Sequence, residues 1–263
     1  MKANYHTHTP RCHHASGTER EYVECAIKGG LKLLGFSDHS PQFFPKGYYS
    51  DFRMRPEELE DYADTVNALK KEYANDIEIH LGLEAEYYPA YFEQLIKYIS
   101  DYGVEYLLLG QHVCGNEIGE MPASAATKDG TVLERYCNQV TEAMQTGLFT
   151  YFAHPDIIHF TGDKEIYDTH IRKLCQAAKA NQIPLEINLL GIRDRRHYPN
   201  ENFWKIAGEE GCQVILGADA HTPEDVCRPA DILAAKRLIE KYHLHLLDTV
   251  SLRRPMGKKQ NPY

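Results

Sequence analysis

The sequence lacks both a membrane-length apolar run and an excess of positive charge. Its 263 residues contain 29 Lys and Arg against 38 Asp and Glu, a formal net charge of -9, whereas nucleic-acid binding normally requires a basic face. No stretch approaches the eighteen or more apolar residues of a membrane span, and no signal-peptide pattern precedes His6. We therefore expect a cytoplasmic protein that has neither a membrane nor a nucleic acid as its partner.

Paired cysteines are also missing. The seven cysteines are scattered, odd in number and contain no Cys-x-x-Cys motif, which argues against a disulfide framework and a zinc ribbon. In a reducing compartment they are most simply free thiols. Cys12, two residues before His14, is an alternative thiolate ligand, but a structural role is favoured because oxygen and nitrogen donors already outnumber what one metal site needs.

No linker or low-complexity segment interrupts the chain, and short apolar runs alternate with stretches of helical period. This alternation is typical of repeated strand-helix units and a parallel sheet. It predicts one continuous domain over residues 1–263, with a polar C-terminal tail from about residue 252. The predicted strands are Ala3–His6, Leu33–Ser37, Ile77–Leu83, Tyr106–Gly110, Thr150–Ala153, Leu185–Asn188 and Gln213–Gly217.

Metal-type side chains recur at or just after the ends of these predicted strands. There are nine of them: His6, His8, His14, His39, Glu84, His112, His154, Asp219 and His221. In a parallel barrel, residues at the C-terminal ends of distant strands converge on one pocket. Because one ion seldom takes more than four protein ligands, nine candidates predict more than one metal. Two further histidines in loops after strands, His159 and His197, are candidate substrate contacts.

An arginine cluster follows the sixth predicted strand, where no metal-type ligand is found. The segment GIRDRRHYP supplies Arg193, Arg195 and Arg196, and guanidinium is well matched to bidentate phosphate binding. A solvated arginine face is the commoner explanation of such a cluster. The position at the rim of the predicted pocket nevertheless favours an anion contact, with Arg193 first, while Arg53 and Arg55 are weaker candidates.

Taken in order, these motifs resemble the polymerase and histidinol phosphatase (PHP) family of phosphoesterases, in particular its monofunctional histidinol-phosphatases. The matching segments are HTH, C-x-H-A, GFSDHSP, GLEAEY, GQH, HPD and GADAH. The resemblance implies an α/β fold, a distorted seven-stranded (β/α)7 TIM-like barrel, with three divalent metal ions: zinc, manganese or iron. It further implies the ligand sets His6, His8, Glu84 and Asp219; Glu84, His112 and His154; and His14, His39 and His221.

The resemblance also implies the reaction, metal-assisted hydrolysis of a phosphomonoester, with L-histidinol phosphate of histidine biosynthesis as the leading substrate. Arg193 would hold the non-bridging phosphoryl oxygens, with Arg195, His159 and His197 as further substrate contacts. Asp219 through a water, or the third metal, would help the alkoxide to leave, and Asp38 would orient a ligating histidine. Related members usually have a basic residue soon after HPD, a part that His159 or Lys164 must fill here.

The residues leave three alternative functions open. Amidohydrolases and deaminases also combine a His-x-His motif on the first strand with an aspartate on the last, although C-x-H-A, SDH and the arginine cluster argue against them. Other members of the resembled family act on phosphotyrosine, nucleotides or DNA ends, and the acidic charge makes DNA the least favoured. A non-catalytic metal-binding module is the third alternative, which the complete ligand set disfavours.

Overall fold

A computed structural model describes residues 1–255 of the chain. Within this range eight strands alternate with helices. The strands are β1 (Ala3–Asn4), β2 (Leu33–Phe36), β3 (Glu78–Ala85), β4 (Tyr106–Leu109), β5 (Phe149–Phe152), β6 (Leu185–Asn188), β7 (Gln213–Gly217) and β8 (His245–Leu246). The α-helices are α1 (Glu19–Lys28), α2 (Leu59–Glu72), α3 (Phe92–Ile99), α4 (Gly130–Gln145), α5 (Lys164–Ala180), α6 (Leu189–Arg193), α7 (Glu201–Glu210) and α8 (Pro229–Tyr242). Short 3-10 helices span Pro10–Cys12, Pro56–Glu58, Ser100–Tyr102 and Pro223–Cys227.

The eight strands form one parallel sheet whose spatial order follows the chain, β1 to β8. The sheet curls, because an isolated parallel bridge joins Thr7, just after β1, to Ala220, just after β7. The expected α/β architecture is therefore present, but the strand count of seven is not confirmed. The additional strand β8 pairs with the first residues of β7, through Gln213 with His245 and Val214 with Leu246.

Local signals in the sequence explain several helix ends. Thr18 and Glu21 form a reciprocal capping box at the start of α1, and the side chain of Asp163 accepts hydrogen bonds from Glu165 N and Ile166 N at the start of α5. Such caps satisfy amide groups that have no partner inside the helix. At the other end of α7, Gly211 adopts a left-handed conformation with φ 69°, which glycine accepts without steric cost.

A compact apolar cluster fills the space inside the curled sheet, separate from the larger core between the sheet and its helices. It includes Tyr5, Tyr106, Tyr151 and Ile215, and Leu252 of the C-terminal segment packs against it. The Tyr106 hydroxyl donates to the carbonyls of Tyr5 and Phe36 at 2.7 and 3.0 Å. This filled interior leaves the C-terminal ends of the strands as the place where a pocket forms.

The start of the segment predicted as a polar tail is packed against the body. The Arg253 guanidinium donates to the carbonyls of Asn181 and Gln182 at 2.7 and 2.8 Å, and its amide donates to Thr150 Oγ1 at 3.0 Å. Residues 256–263 of the predicted tail lie outside the described residues. Among residues 1–255, none of the helices has the length and apolar character needed to cross a bilayer.

Candidate metal centre

Glu84, at the end of β3, lies among five imidazoles that come from four different segments of the chain. The two carboxylate oxygens face different histidines. Oε1 lies 2.7 Å from His154 Nε2 and 3.5 Å from His112 Nε2. Oε2 lies 3.1 Å from His39 Nδ1, 3.4 Å from His6 Nε2 and 3.5 Å from His8 Nε2. A carboxylate that faces two groups of imidazoles in this way is suited to bridging two cations.

Asp219 approaches the same histidines from β7. Its Oδ1 lies 3.1 Å from His8 Nε2, 3.6 Å from His6 Nε2 and 3.4 Å from His221 Nδ1. Its Oδ2 accepts a hydrogen bond from Asn188 Nδ2 at 3.0 Å. Asp219 and Glu84 thus both approach the Nε2 atoms of His6 and His8, although 135 residues separate the two carboxylates in the sequence.

His14 and His221 form a third grouping, at the outer edge of the pocket. Their Nε2 atoms are 2.9 Å apart. The Nδ1 atom of His14 lies 2.7 Å from the Cys12 carbonyl, and that of His221 lies 3.1 Å from the Asp219 carbonyl. Because a carbonyl only accepts, both rings carry their proton on Nδ1, and the two Nε2 lone pairs face each other. A cation between them removes this repulsion, and His39 completes the group.

The donor atoms of these residues fit divalent metal ions. Several buried atoms have no hydrogen-bond partner among residues 1–255, and four of them belong to predicted ligands and face the other ligands: His6 Nε2, His8 Nε2, His39 Nδ1 and Glu84 Oε2. Leaving a buried polar atom unpaired costs about 1–3 kcal/mol. Ligand atoms of His14, His39 and His221, of His6, Glu84 and His154, and of His6, His8 and Asp219 lie within 4.8 Å of one another in each group. Metal coordination would satisfy these atoms together.

The two carboxylates of the centre are held ionised. Burial alone would raise the pKa of Glu84, but His112, His6 and His39 bring it well below the ordinary value of a glutamate. Burial would likewise raise the pKa of Asp219, and His6, His8 and His221 bring it well below that of an aspartate. Both carboxylates are therefore anionic at neutral pH, the form in which a carboxylate binds a metal ion.

Buried acceptors behind the histidines fix their orientation. Asp38 Oδ1 lies 3.3 Å from His8 Nδ1, in the position that the sequence predicted for it. Glu186 Oε2 lies 2.8 Å from His6 Nδ1, and Glu86 Oε1 lies 2.8 Å from His112 Nδ1. Such partners set the tautomer and aim the other ring nitrogen at the metal. Glu86 and Glu186 were not predicted, although both are buried carboxylates: Glu86 directly follows β3, and Glu186 lies between Leu185 and Ile187 in β6.

Strand β6 has a larger part in the centre than the sequence indicated. The expectation was that it offers arginine in place of a ligand, yet Glu186 and Asn188 alternate along it and reach the same face. Asn188 Nδ2 donates to Glu186 Oε1 at 2.7 Å as well as to Asp219. The strand therefore supports His6 and Asp219 from behind, and its helix α6 then carries Arg193 to the rim.

A cavity of about 570 Å³ opens over the ligands. Arg193 and Arg196 line it, together with Phe52 and Tyr198. Arg193 Nη2 lies 3.3 Å from Asp225 Oδ2, while its Nη1 is buried and has no partner among residues 1–255. Arg196 Nη1 donates to the Tyr198 hydroxyl at 2.9 Å. The wall therefore offers cationic donors next to the metal-type ligands.

Other predicted substrate contacts lie elsewhere. Arg195 is exposed, with φ 52°, and is absent from the residues that line this cavity. His159 and His197 stack on each other with centroids 4.1 Å apart, and His197 Nε2 bonds to the Ile157 carbonyl at 2.8 Å; neither ring lines the cavity. Lys164 is exposed and pairs with Asp168 on the first turn of α5. The geometry thus favours Arg196 over these four residues as the partner of Arg193.

Comparison with known proteins supports a family assignment. The chain is 30% identical over 227 residues to a probable histidinol-phosphatase of Deinococcus radiodurans, covering 84% of this chain and 86% of that protein. It is 26% identical over 257 residues to the histidinol-phosphatase of Bacillus subtilis strain 168, covering 86% of this chain and 96% of that protein.

A solved structure shares the fold. The histidinol phosphate phosphatase of Lactococcus lactis subsp. lactis, crystallised with zinc, L-histidinol and phosphate, superposes with a TM-score of 0.73 at 22% identity, over 95% of this chain and 98% of that one. The family model described as the PHP domain matches residues 4–189, which include every predicted ligand except Asp219 and His221. The chain therefore belongs to the PHP domain family.

Proposed function

We propose that the protein is a metal-dependent phosphomonoesterase whose substrate is L-histidinol phosphate. The observation that carries this proposal is the placement of Arg193 on the wall of the same cavity that exposes Glu84, Asp219 and the histidines. A cation beside clustered metals suits a phosphoryl group, whereas a neutral amide needs no such partner. The histidinol-phosphatases among the relatives support the choice of substrate.

Three divalent ions, zinc, manganese or iron, would be held by the three ligand sets already named. When bound, such ions supply a water of lowered pKa and neutralise phosphoryl charge. The chain's own part is to hold the ligands in place. Glu186, Asp38 and Glu86 fix the tautomers of His6, His8 and His112, and Glu84 offers one oxygen to each of the first two sets.

Arg193 binds the non-bridging phosphoryl oxygens, because its Nη1 is buried and has no acceptor in the described part of the chain, residues 1–255. Arg196 assists from the same wall, whereas Arg195, His159 and His197 do not line the cavity and stay predictions as substrate contacts. Phe52, Val113 and Pro122 give the cavity an apolar side for the organic part of the substrate. Asp219 is ionised at neutral pH, so it would take the proton that the attacking water loses and return it, through a second water, to the leaving alkoxide oxygen.

We further propose that residues 1–263 form a single domain that works in the cytoplasm. Contacts between the two ends of the chain support the first part, since Lys2 pairs with Asp248 at 2.6 Å and Val250 N donates to the Tyr5 hydroxyl at 3.3 Å. The small polar substrate and the seven unpaired cysteines support the second.

Phosphate release from L-histidinol phosphate tests the reaction, run beside phosphotyrosine, a nucleoside monophosphate, an N-acyl amino acid and a nucleobase. We expect phosphate release with L-histidinol phosphate at the highest kcat/KM and no turnover of the last two compounds. Hydrolysis of the amide or deamination of the nucleobase without phosphatase activity would instead assign the site to an amidohydrolase-type reaction.

A further inference from the structure

Arg53 is a fully buried arginine that does not line the cavity. Its donors are occupied by neighbours: Nε bonds to Ser50 Oγ at 2.6 Å, Nη1 to Glu86 Oε2 at 2.7 Å, and Nη2 to Glu117 Oε2. Burying a charge costs several kcal/mol unless partners compensate it. The weaker expectation that Arg53 contacts the substrate phosphate is therefore not favoured, because its guanidinium is already committed to two carboxylates.

Glu86 connects this arginine to the metal centre. Its Oε1 lies 2.8 Å from His112 Nδ1, while its Oε2 accepts from Arg53. The contact places the His112 proton on Nδ1 and leaves Nε2 bare, 3.5 Å from Glu84 Oε1. Without Arg53, the Glu86 carboxylate would be a buried anion whose Oε2 has lost its donor. The carboxylate would then be free to rotate and to move Oε1 away from His112 Nδ1.

The same guanidinium holds the wall of the cavity. It stacks over the Phe52 ring at 4.3 Å, and Phe52 meets His39 and His112 with centroids 5.3 and 5.9 Å away. On its other side Glu117 is fixed by the hydroxyls of Tyr88 at 2.7 Å and Tyr48 at 3.0 Å. Arg53 thus ties the loop of residues 48–53 to the end of β3 and to the loop after β4.

We propose that Arg53 is a positioning residue that acts through Glu86 on His112, and so sets the affinity for the metal ion that His112 helps to hold. The inference rests on the proposed function only in assuming that His112 binds a metal. Partners behind metal-ligating histidines typically contribute 10–100-fold to metal affinity. Because Phe52 stacks on the same guanidinium, binding of that ion is coupled to the position of Phe52 in the cavity wall.

The test measures zinc binding to chelator-stripped protein, by competition with a chromophoric chelator of known affinity and by metal analysis, with no substrate present. We expect Arg53→Met and Glu86→Gln each to lower the affinity for one of the bound zinc ions by about 10–100-fold and to leave the affinity for the other ions unchanged. The double variant should be no weaker than the weaker single variant, because both changes break the same link. Arg55→Met is the matched control: Arg55 lies two residues further along the chain and does not line the cavity, and its guanidinium stacks on Tyr49 at 5.2 Å, so this variant should bind zinc like the wild type.

Circular dichroism and thermal unfolding establish that each variant is folded. Glu86→Gln keeps the side-chain volume, and Arg53→Lys keeps the charge but cannot span Ser50, Glu86 and Glu117 together, so these two decide the matter if Arg53→Met does not fold. Wild-type affinity at every zinc site in folded Glu86→Gln and Arg53→Lys overturns the proposal, as do additive losses in the double variant. Since zinc binding is measured without substrate, a protein that is inactive on L-histidinol phosphate but shows the shift would contradict the proposed function and leave this inference standing.

Discussion

A single methyl group on Gly110 should disrupt the metal centre. Gly110 directly follows β4, and a Cβ built on it would lie 2.0 Å from Glu84 Oε1 and 2.5 Å from Glu84 Cδ. Real Cβ atoms almost never come within 3.0 Å of such an atom, so in Gly110→Ala the carboxylate must move by at least about 1 Å. A misplacement of 1 Å in an active site can cost about 100-fold in rate.

The assay combines metal analysis with phosphate release at saturating substrate. We expect Gly110→Ala to stay folded, to lose at least one ion per chain and to turn over about 100-fold more slowly or worse. Gly130→Ala is the control, since a Cβ at Gly130 would meet Ile166 Cγ2 at 3.3 Å and nothing of the centre. Wild-type metal content and turnover in Gly110→Ala would refute the placement of Glu84 as the central ligand.

Three other changes have defined outcomes. Removing the imidazole in His154→Ala should cost one ion and most of the turnover, because His154 Nε2 lies 2.7 Å from Glu84 Oε1; full metal content by elemental analysis with unchanged turnover would contradict it. Arg193→Met should lower kcat/KM about 10–100-fold through the loss of a charge-assisted bond worth about 1.5–3 kcal/mol, with little change in metal content, while the exposed Arg237→Met should behave as wild type in the same kinetics. Burial tends to raise the pKa of Glu105, but His80 and Lys70 hold it at about 2 instead of 4.5, so the stabilisation it provides is present above pH 4.5 and disappears as the pH falls through about 2. Glu105→Gln should therefore lower the free energy of unfolding by about 1–2 kcal/mol at pH 7, and urea titrations should show this deficit shrinking between pH 4.5 and 3; a deficit that is constant with pH would rule out the ionic origin.

The parts of the molecule that follow a local period were predictable. The apolar runs of β2 to β7 predicted each end of these strands to within two residues. They could do so because burial on both faces of a parallel strand leaves a continuous apolar segment. His6 with His8, and Asp219 with His221, stood out because residues two apart on an extended chain share a face. The two-residue strand β8 and the five-residue helix α6 carry too little sequence to give such a signal.

What the sequence did not reveal depends on contacts between distant segments. Arg53, Arg195 and Arg196 look alike in the sequence, yet one is buried between two carboxylates, one is exposed and one lines the cavity. Glu186 offered a usable signal, because a carboxylate within the largely apolar segment IPLEINLL requires a buried partner. Its partner, His6, lies 180 residues away, so the pairing itself emerges only from the fold.

The central claim is that the nine predicted ligands, which include Glu84, His154 and Asp219, hold metal ions that make the chain a phosphatase for L-histidinol phosphate. The most direct measurement is kcat/KM for L-histidinol phosphate in protein stripped by a chelator and then reloaded with zinc, manganese or iron, with phosphotyrosine as the reference substrate. We expect phosphate release to be lost on stripping and to recover with at least one of the three metals, with a clear preference for L-histidinol phosphate over phosphotyrosine. Phosphate release that persists in fully stripped protein, or reloaded protein that does not hydrolyse L-histidinol phosphate, would contradict it.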